Sequence, residues 1–327
     1  MVKTVYNWPE IGNDRAIKFL DESLKSGRVA QTYVFIGSDD LGKSTVALAL
    51  AQNLQGEKEG FNSDLYILQP ESDKKNISIE ATRDFIKMLS LSSFLNSYKV
   101  GIIKEADALS LEAKNALLKT LEEPASSVVI ILLVREASNL PDTILSRAQI
   151  LHFYPVASNV IYEYLVSQHG AERSLAQNLA QIVLGRPLLA VKLLEDPIAY
   201  KLYLEKAEQW LGFYTVDLNE RLPGLNNIFS DKSWGRQSVL AASEIISLAE
   251  SLARDLLLLS LGQDDRVQYR PLINSLRQTL ITLNTRGEAE VFSLLINQLK
   301  LINQAREYLA TNVNPRLVLE QLLINLV

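Results

Sequence analysis

Gly37-Ser38-Asp39-Asp40-Leu41-Gly42-Lys43-Ser44 matches the pattern G-x-x-x-x-G-K-[ST] at every fixed position. Glycines at Gly37 and Gly42 let backbone amides turn inward around a phosphate, and a helix starting at Lys43 adds its positive dipole end. The Lys43 ammonium suits the β- and γ-phosphates of a nucleotide, and the Ser44 hydroxyl suits magnesium carried in with it. Gly37, Gly42, Lys43, Ser44 and Thr45 are therefore the expected nucleotide-binding set, with ATP or ADP and magnesium as the expected ligands. The alternative is a glycine-rich turn with an exposed lysine. An apolar run before the motif and a helical stretch after it favour the phosphate-binding loop.

A second position bears on what such a loop could do. The apolar run Val100-Gly101-Ile102-Ile103 would end, in a hydrolysing site, on an acidic residue that holds magnesium. Here it ends on Lys104, followed by Glu105-Ala106-Asp107. A cation at that point repels the metal. Glu105 could still polarise a water, and Asp107 could replace the missing acid at a poorer angle; both could also be plain polar residues ending a strand. A degenerate catalytic site is the expectation, because metal charge is central to phosphoryl transfer.

These residues need a scaffold, and the chain supplies two textures. Up to about residue 155, short apolar runs alternate with helical stretches: Tyr33–Ile36, Leu65–Leu68, Val100–Ile103, Val128–Val134 and Ile150–Phe153 against Lys43–Leu54, Ile79–Leu89 and Leu111–Leu121. This predicts a doubly wound α/β domain with buried parallel strands. After Pro155 the strand signal stops. Asn159–His169, Ser174–Leu184 and Pro187–Leu194 read as three short helices closed by Pro197. Longer helices follow at Lys201–Leu211, Ser238–Leu261, Tyr269–Leu283, Glu288–Leu309 and Arg316–Leu326, with Val216 to Trp234 the most loop-like stretch.

Composition removes several function classes. Cysteine is zero, excluding disulfides, thiolate zinc and cysteine nucleophiles, and only His152 and His169 carry imidazole. Neither histidine has an identifiable triad or metal partner. The longest apolar run, Val128 to Val134, is seven residues, against roughly 20 for a bilayer span. No apolar signal core opens the chain, so a cytoplasmic protein is expected. With 33 basic and 38 acidic residues the net charge is −5, so contact with nucleic acid needs a local basic patch. Lys87, Lys99, Lys114 and Lys119 are candidates for DNA phosphate, although exposed lysines are the ordinary case; Lys74-Lys75 reads as a solvated loop.

Three further stretches carry a family resemblance. Ser110 to Pro124 resembles the segment after the second acidic motif in AAA+ clamp-loader subunits. Leu140 to Gln149 resembles their Ser-Arg-Cys motif, with Ala148 in place of Cys, and Asn312 to Leu317 resembles part of their oligomerising collar. The resemblance implies an α/β P-loop (AAA+) domain over 1–157, a three-helix lid over 158–200 and an all-α collar over 201–327. It implies as partners the gamma/tau and delta subunits of bacterial DNA polymerase III, and through them the sliding clamp and primed DNA, with no membrane. Ser146-Arg147 would then reach the ATP site of a neighbouring subunit, Arg147 acting as an arginine finger in trans. The family's usual four-Cys zinc module is missing, so no zinc is expected. Lys104, Val134-Arg135 in place of a sensor Thr or Asn, and Leu188 near the second sensor position all depart from a hydrolysing member. That pattern suits a non-motor subunit better than a gamma/tau-like ATPase; a P-loop small-molecule kinase is the more distant reading.

Overall fold

The computed structural model describes residues 6–56, 64–71, 76–91, 98–122, 127–229, 236–285, 287–311 and 313–326. Lys74-Lys75, residues 57–63, Pro124, Trp234 and Asn312 lie outside the described residues. The chain divides into two compact units, Met1–Lys192 and Leu193–Val327.

In the first unit the strands are β1 (Thr32–Ile36), β2 (Leu65–Leu68), β3 (Lys99–Ile103), β4 (Val128–Val134) and β5 (Gln149–His152), in spatial order β2-β3-β4-β1-β5. Every pairing is parallel. Because successive side chains point to opposite faces, the sheet builds two apolar layers. Tyr33, Phe35, Val129 and Ile131 pack with Leu20 of α1 (Asp14–Ser26) and Leu50 of α2 (Lys43–Gln55). Val34, Ile130 and Leu132 pack with Phe85 of α3 (Ile79–Ser90) and Leu117 of α4 (Leu111–Glu122). Burial on both faces is why these strands read as unbroken apolar runs. Short α5 (Asp142–Leu145) precedes β5, and α6 (Ser158–His169), α7 (Arg173–Ile182) and α8 (Pro187–Glu195) follow it.

Lys99 departs from its sequence reading. It is buried in β3, donating from Nζ to the Met88 carbonyl at 2.9 Å and lying 5.3 Å from the Tyr66 ring centroid. A lysine so held presents no charge to DNA. Lys114 also spends its ammonium internally, on the Asn139 carbonyl at 2.8 Å.

The second unit contains α9 (Pro197–Gly212), α10 (Leu218–Ile228), α11 (Arg236–Ser260), α12 (Ile273–Asn284), α13 (Glu288–Ala310) and α14 (Pro315–Ile324). Two sequence readings change here. Pro197 opens a helix, with Asp196 Oδ1 accepting from the Ile198 and Ala199 amides at 3.0 Å each; a first-turn proline loses an amide that has no partner anyway. The loop-like stretch from Val216 contains α10, with Pro223 inside it. An interior proline costs about 3 kcal/mol of helix propensity. Burial of Leu225 and Ile228 opposes that cost, as do bonds from Arg221 to the carbonyls of Val216 (3.0 Å) and Leu323 (3.3 Å). Tertiary packing overrides the local breaker. Asp255, fully buried in α11, accepts from the Gln268 and Tyr269 amides at 2.8–3.0 Å and so pins the turn before α12.

Candidate functional site

The glycine-lysine motif lies where β1 ends and α2 begins. Gly37 has φ +152°, and a Cβ there would stand 2.5 Å from the Phe153 carbonyl oxygen. Gly42 has φ +94°, and its Cβ would meet Ile11 Cδ1 at 2.4 Å. Only glycine fits either position, so the turn that aims amides inward is built into the backbone. The Lys43 ammonium folds back onto the loop, donating to the carbonyls of Gly37 and of Ser38, the latter at 2.7 Å. Burial lowers its pKa from the ordinary lysine value, while Asp39 and then Asp107 and Asp40 act to raise it.

The loop forms one wall of an open cavity of about 180 Å³. Gly42, Lys43, Ser44, Lys104 and Glu105 all line it, so the structure brings both sequence motifs together. Gly37 contributes its carbonyl to Lys43. Thr45 is half-buried one residue further into α2 and is not part of the lining. Glu105 sits in left-handed backbone at φ +54°, a costly conformation for a non-glycine residue and one that clusters at functional sites. Asp107 also faces the cavity, its Oδ1 buried without a hydrogen-bond partner.

Sequence reasoning missed how two other residues behave. Arg135 donates from Nε to Asp39 Oδ2 at 3.0 Å, and its Nη2 lies 2.9 Å from the same oxygen. β1 pairs with β4 in the register Ile36↔Val134, and the Gly37 amide bonds the Val134 carbonyl at 3.1 Å. Residues just beyond the two strands are therefore neighbours. The signal was present: opposite charges follow two runs that a parallel sheet could pair. The residue carrying positive charge near the sensor position is spent on the loop's own carboxylate. Asp40, at φ +60°, gives its carbonyl to the Leu188 amide at 3.1 Å. Burial, and then Asp39, raise the Asp40 carboxyl above its ordinary value, against Arg186, Lys192 and Lys43. Leu188 lines the cavity, while Arg186 Nε bonds the Val183 carbonyl at 2.9 Å.

The backbone of this site offers a turn that could admit a phosphate, and its lining carries charges of both signs. Lys43, Lys104 and Arg135 face four carboxyls, Asp39, Asp40, Glu105 and Asp107. Lys104 follows β3 directly and lines the cavity beside Glu105. Among the described residues no cluster of three or more His, Cys, Asp or Glu could hold a metal ion, and no helix is long and apolar enough to cross a membrane.

Arg147 lies elsewhere. It follows α5, donates from Nη1 to the Thr143 carbonyl at 2.8 Å, and pairs through Nη2 with Glu122 Oε1 at 2.8 Å. Strand register fixes its place: Tyr33 pairs with Gln149 and Ile36 with His152. The phosphate loop thus leaves the carboxyl end of β1, and Arg147 lies before the amino end of the neighbouring β5. Tyr33 and Gly37 alone are roughly 13 Å apart at about 3.3 Å per residue, and Arg147 precedes Gln149.

A model of the family described as DNA polymerase III, delta subunit, matches residues 12–157. DNA polymerase III subunit delta' of Bacillus subtilis is 27% identical, the match covering 98% of both chains. The subunit delta' of Haemophilus influenzae is 29% identical over 60% of this chain and 66% of its own length. Among solved structures, a gamma subunit-related protein from Thermotoga maritima covers 94% of this chain and 98% of its own, with a TM-score of 0.44 and 20% identity.

Proposed function

Because the chain belongs to the delta-prime subunits of the DNA polymerase III clamp loader, we propose that it is the non-motor member of that assembly. It helps gamma/tau and delta subunits place the sliding clamp on primed DNA. In this reading residues 1–157 form the nucleotide-type domain, 158–200 the lid and 201–327 the collar that holds the ring together. Its own nucleotide site is degenerate, binding ATP or ADP weakly or staying empty. Arg147 serves the ATP site of the adjoining subunit.

The observation that carries this reading is that Arg147 lies before the amino end of β5, at the end of the parallel strands opposite the chain's own phosphate loop. From there the guanidinium cannot serve its own pocket, yet it remains partly exposed, with side-chain accessibility 38%. A planar, permanently charged group suits the charge that develops on a transferring γ-phosphate. Glu122 and the Thr143 carbonyl hold it from two sides, which reduces the orientational freedom lost when a neighbour docks. Within the chain's own cavity, Lys43 engages the carbonyls of its own loop and Arg135 engages Asp39. No catalytic step is assigned there, and Glu105 keeps at most a water-orienting role.

The intact Lys43 and Ser44 favour one rival, an active gamma/tau-like ATPase. Steady-state ATP hydrolysis by the purified chain, alone and reconstituted with gamma/tau and delta, separates the two. The non-motor reading expects negligible turnover alone, with hydrolysis and clamp loading in the complex. Robust turnover by the lone chain refutes it.

A further inference from the structure

The cavity beside the phosphate loop is lined by four carboxyls against three cations, and one carboxylate is placed to matter most. Asp39 is inside the G-x-x-x-x-G-K-S motif, where backbone amides converge on an anion. Its Oδ2 takes both the Nε and Nη2 sides of Arg135, at 3.0 and 2.9 Å, the fork a guanidinium otherwise offers to phosphate. Asp39 is also the strongest charged influence on Lys43. Arg135 thus binds a carboxylate of the chain itself, while Lys43 bonds the carbonyls of Gly37 and Ser38.

We propose that Asp39 is the residue that keeps nucleotide out of this cavity, its carboxylate acting as a built-in substitute for a phosphate oxygen at Arg135. This rests on reading the cavity as the chain's own degenerate nucleotide site. It also shifts the main cause of degeneracy. Lys104 explains why a metal is unwelcome; Asp39 explains why phosphate is unwelcome even without metal. A phosphate entering the loop must displace the carboxylate from Arg135 and then stay beside it, against like-charge repulsion in a half-enclosed site.

The test uses the full chain and two probes, magnesium ATP and inorganic pyrophosphate without metal, measured by titration calorimetry at low and moderate salt. Asp39→Asn keeps the shape and removes the charge, and it is expected to bind both probes about tenfold or more tightly than wild type, a change equal to about 1.4 kcal/mol. The gain should shrink with added salt. Asp39→Asn combined with Lys43→Ala should lose the gain, which places the probe in the loop. Arg135→Ala leaves the carboxylate and removes a cation, so it should bind no better than wild type; if it gains as much as Asp39→Asn, the charge assignment is overturned. Unchanged pyrophosphate affinity in a folded Asp39→Asn protein, checked by its melting curve, overturns the role of Asp39 and leaves the non-motor reading intact. ATP turnover by the unmodified chain overturns both together.

Discussion

Two arginine–carboxylate pairs in the first unit are nearly identical as contacts and opposite in the use proposed for them. Arg135–Asp39 closes at 2.9 Å with side chains 36% and 54% exposed; Arg147–Glu122 closes at 2.8 Å with 38% and 49%. Neither is a stability device, because exposed pairs contribute about 0–1 kcal/mol. What separates them is the end of the parallel strands at which each sits. The first follows the carboxyl end of β4, where parallel sheets form their ligand crevice, and there the carboxylate pairs with the arginine. The second precedes the amino end of β5. Glu122 lies in the last turn of α4, where the helix dipole opposes a negative charge. A carboxylate in that unfavourable place, beside an arginine on an open surface, is consistent with holding the guanidinium ready for something outside the chain.

The largest expected effect breaks the comparison on its surface side. Arg147→Ala in a reconstituted complex should slow ATP hydrolysis at the adjoining site by about 10³–10⁵, the usual worth of an arginine finger. Total ATPase should fall less, since other sites keep their own fingers, and clamp loading onto primed DNA should fall with it. The isolated variant should melt within about 0.5 kcal/mol of wild type, as expected for an exposed residue off the core. Arg147→Lys keeps the charge without the planar fork, and so should recover only part of the rate. Wild-type loading rates for both variants in a verified complex would mean that the two pairs do not differ in the way argued here.

Much of the scaffold could be read from the chain because its logic is local. Five apolar runs became the five strands, and in β1, β3 and β4 burial on both faces leaves no polar alternation to obscure them. The loop was equally plain: a phosphate cradle is eight consecutive residues. The pairs were not. Asp39 and Arg135 are 96 positions apart, and only the β1–β4 adjacency makes them neighbours. Their charges were visible as residues, but their neutralising each other depends on topology. Lys99 failed for a related reason, since a lysine can bury its stem along an aromatic ring and still satisfy its ammonium on a carbonyl. In α10, Pro223 and Gly224 are ordinary loop signals that packing overrode.

A smaller effect sharpens the surface side. If Glu122 acts only by orienting Arg147, Glu122→Gln should lower kcat at the adjoining site by about three- to tenfold while leaving KM for ATP nearly unchanged. In an Arg147→Ala background the same change should be silent, because the group it positions is gone. Additive losses in that double variant would show that Glu122 works independently of the arginine. Assembly, followed by size exclusion, should be unaffected throughout.

The smallest effect sharpens the cavity side and is a matter of sign. Asp40 has its carboxyl raised above the ordinary value, by burial first and by Asp39 second. As pH falls it therefore neutralises before an unperturbed aspartate does, and the cavity loses negative charge early. Pyrophosphate should bind more tightly on moving from neutral toward mildly acidic pH, after correction for the protonation of the probe itself. Asp39→Asn removes one cause of the raised value, so the same strengthening should move to lower pH. In Asp40→Asn it should be absent over that range. The stability consequence has a definite direction. A carboxyl raised on folding contributes stability that is full below its unfolded value and is lost as pH rises through its folded value. Thermal melts of Asp40→Asn and wild type should therefore diverge in the variant's favour from acid to neutral pH. Parallel melting curves and a flat pyrophosphate profile would place Asp40 outside the charge balance of the cavity, leaving Asp39 to act alone.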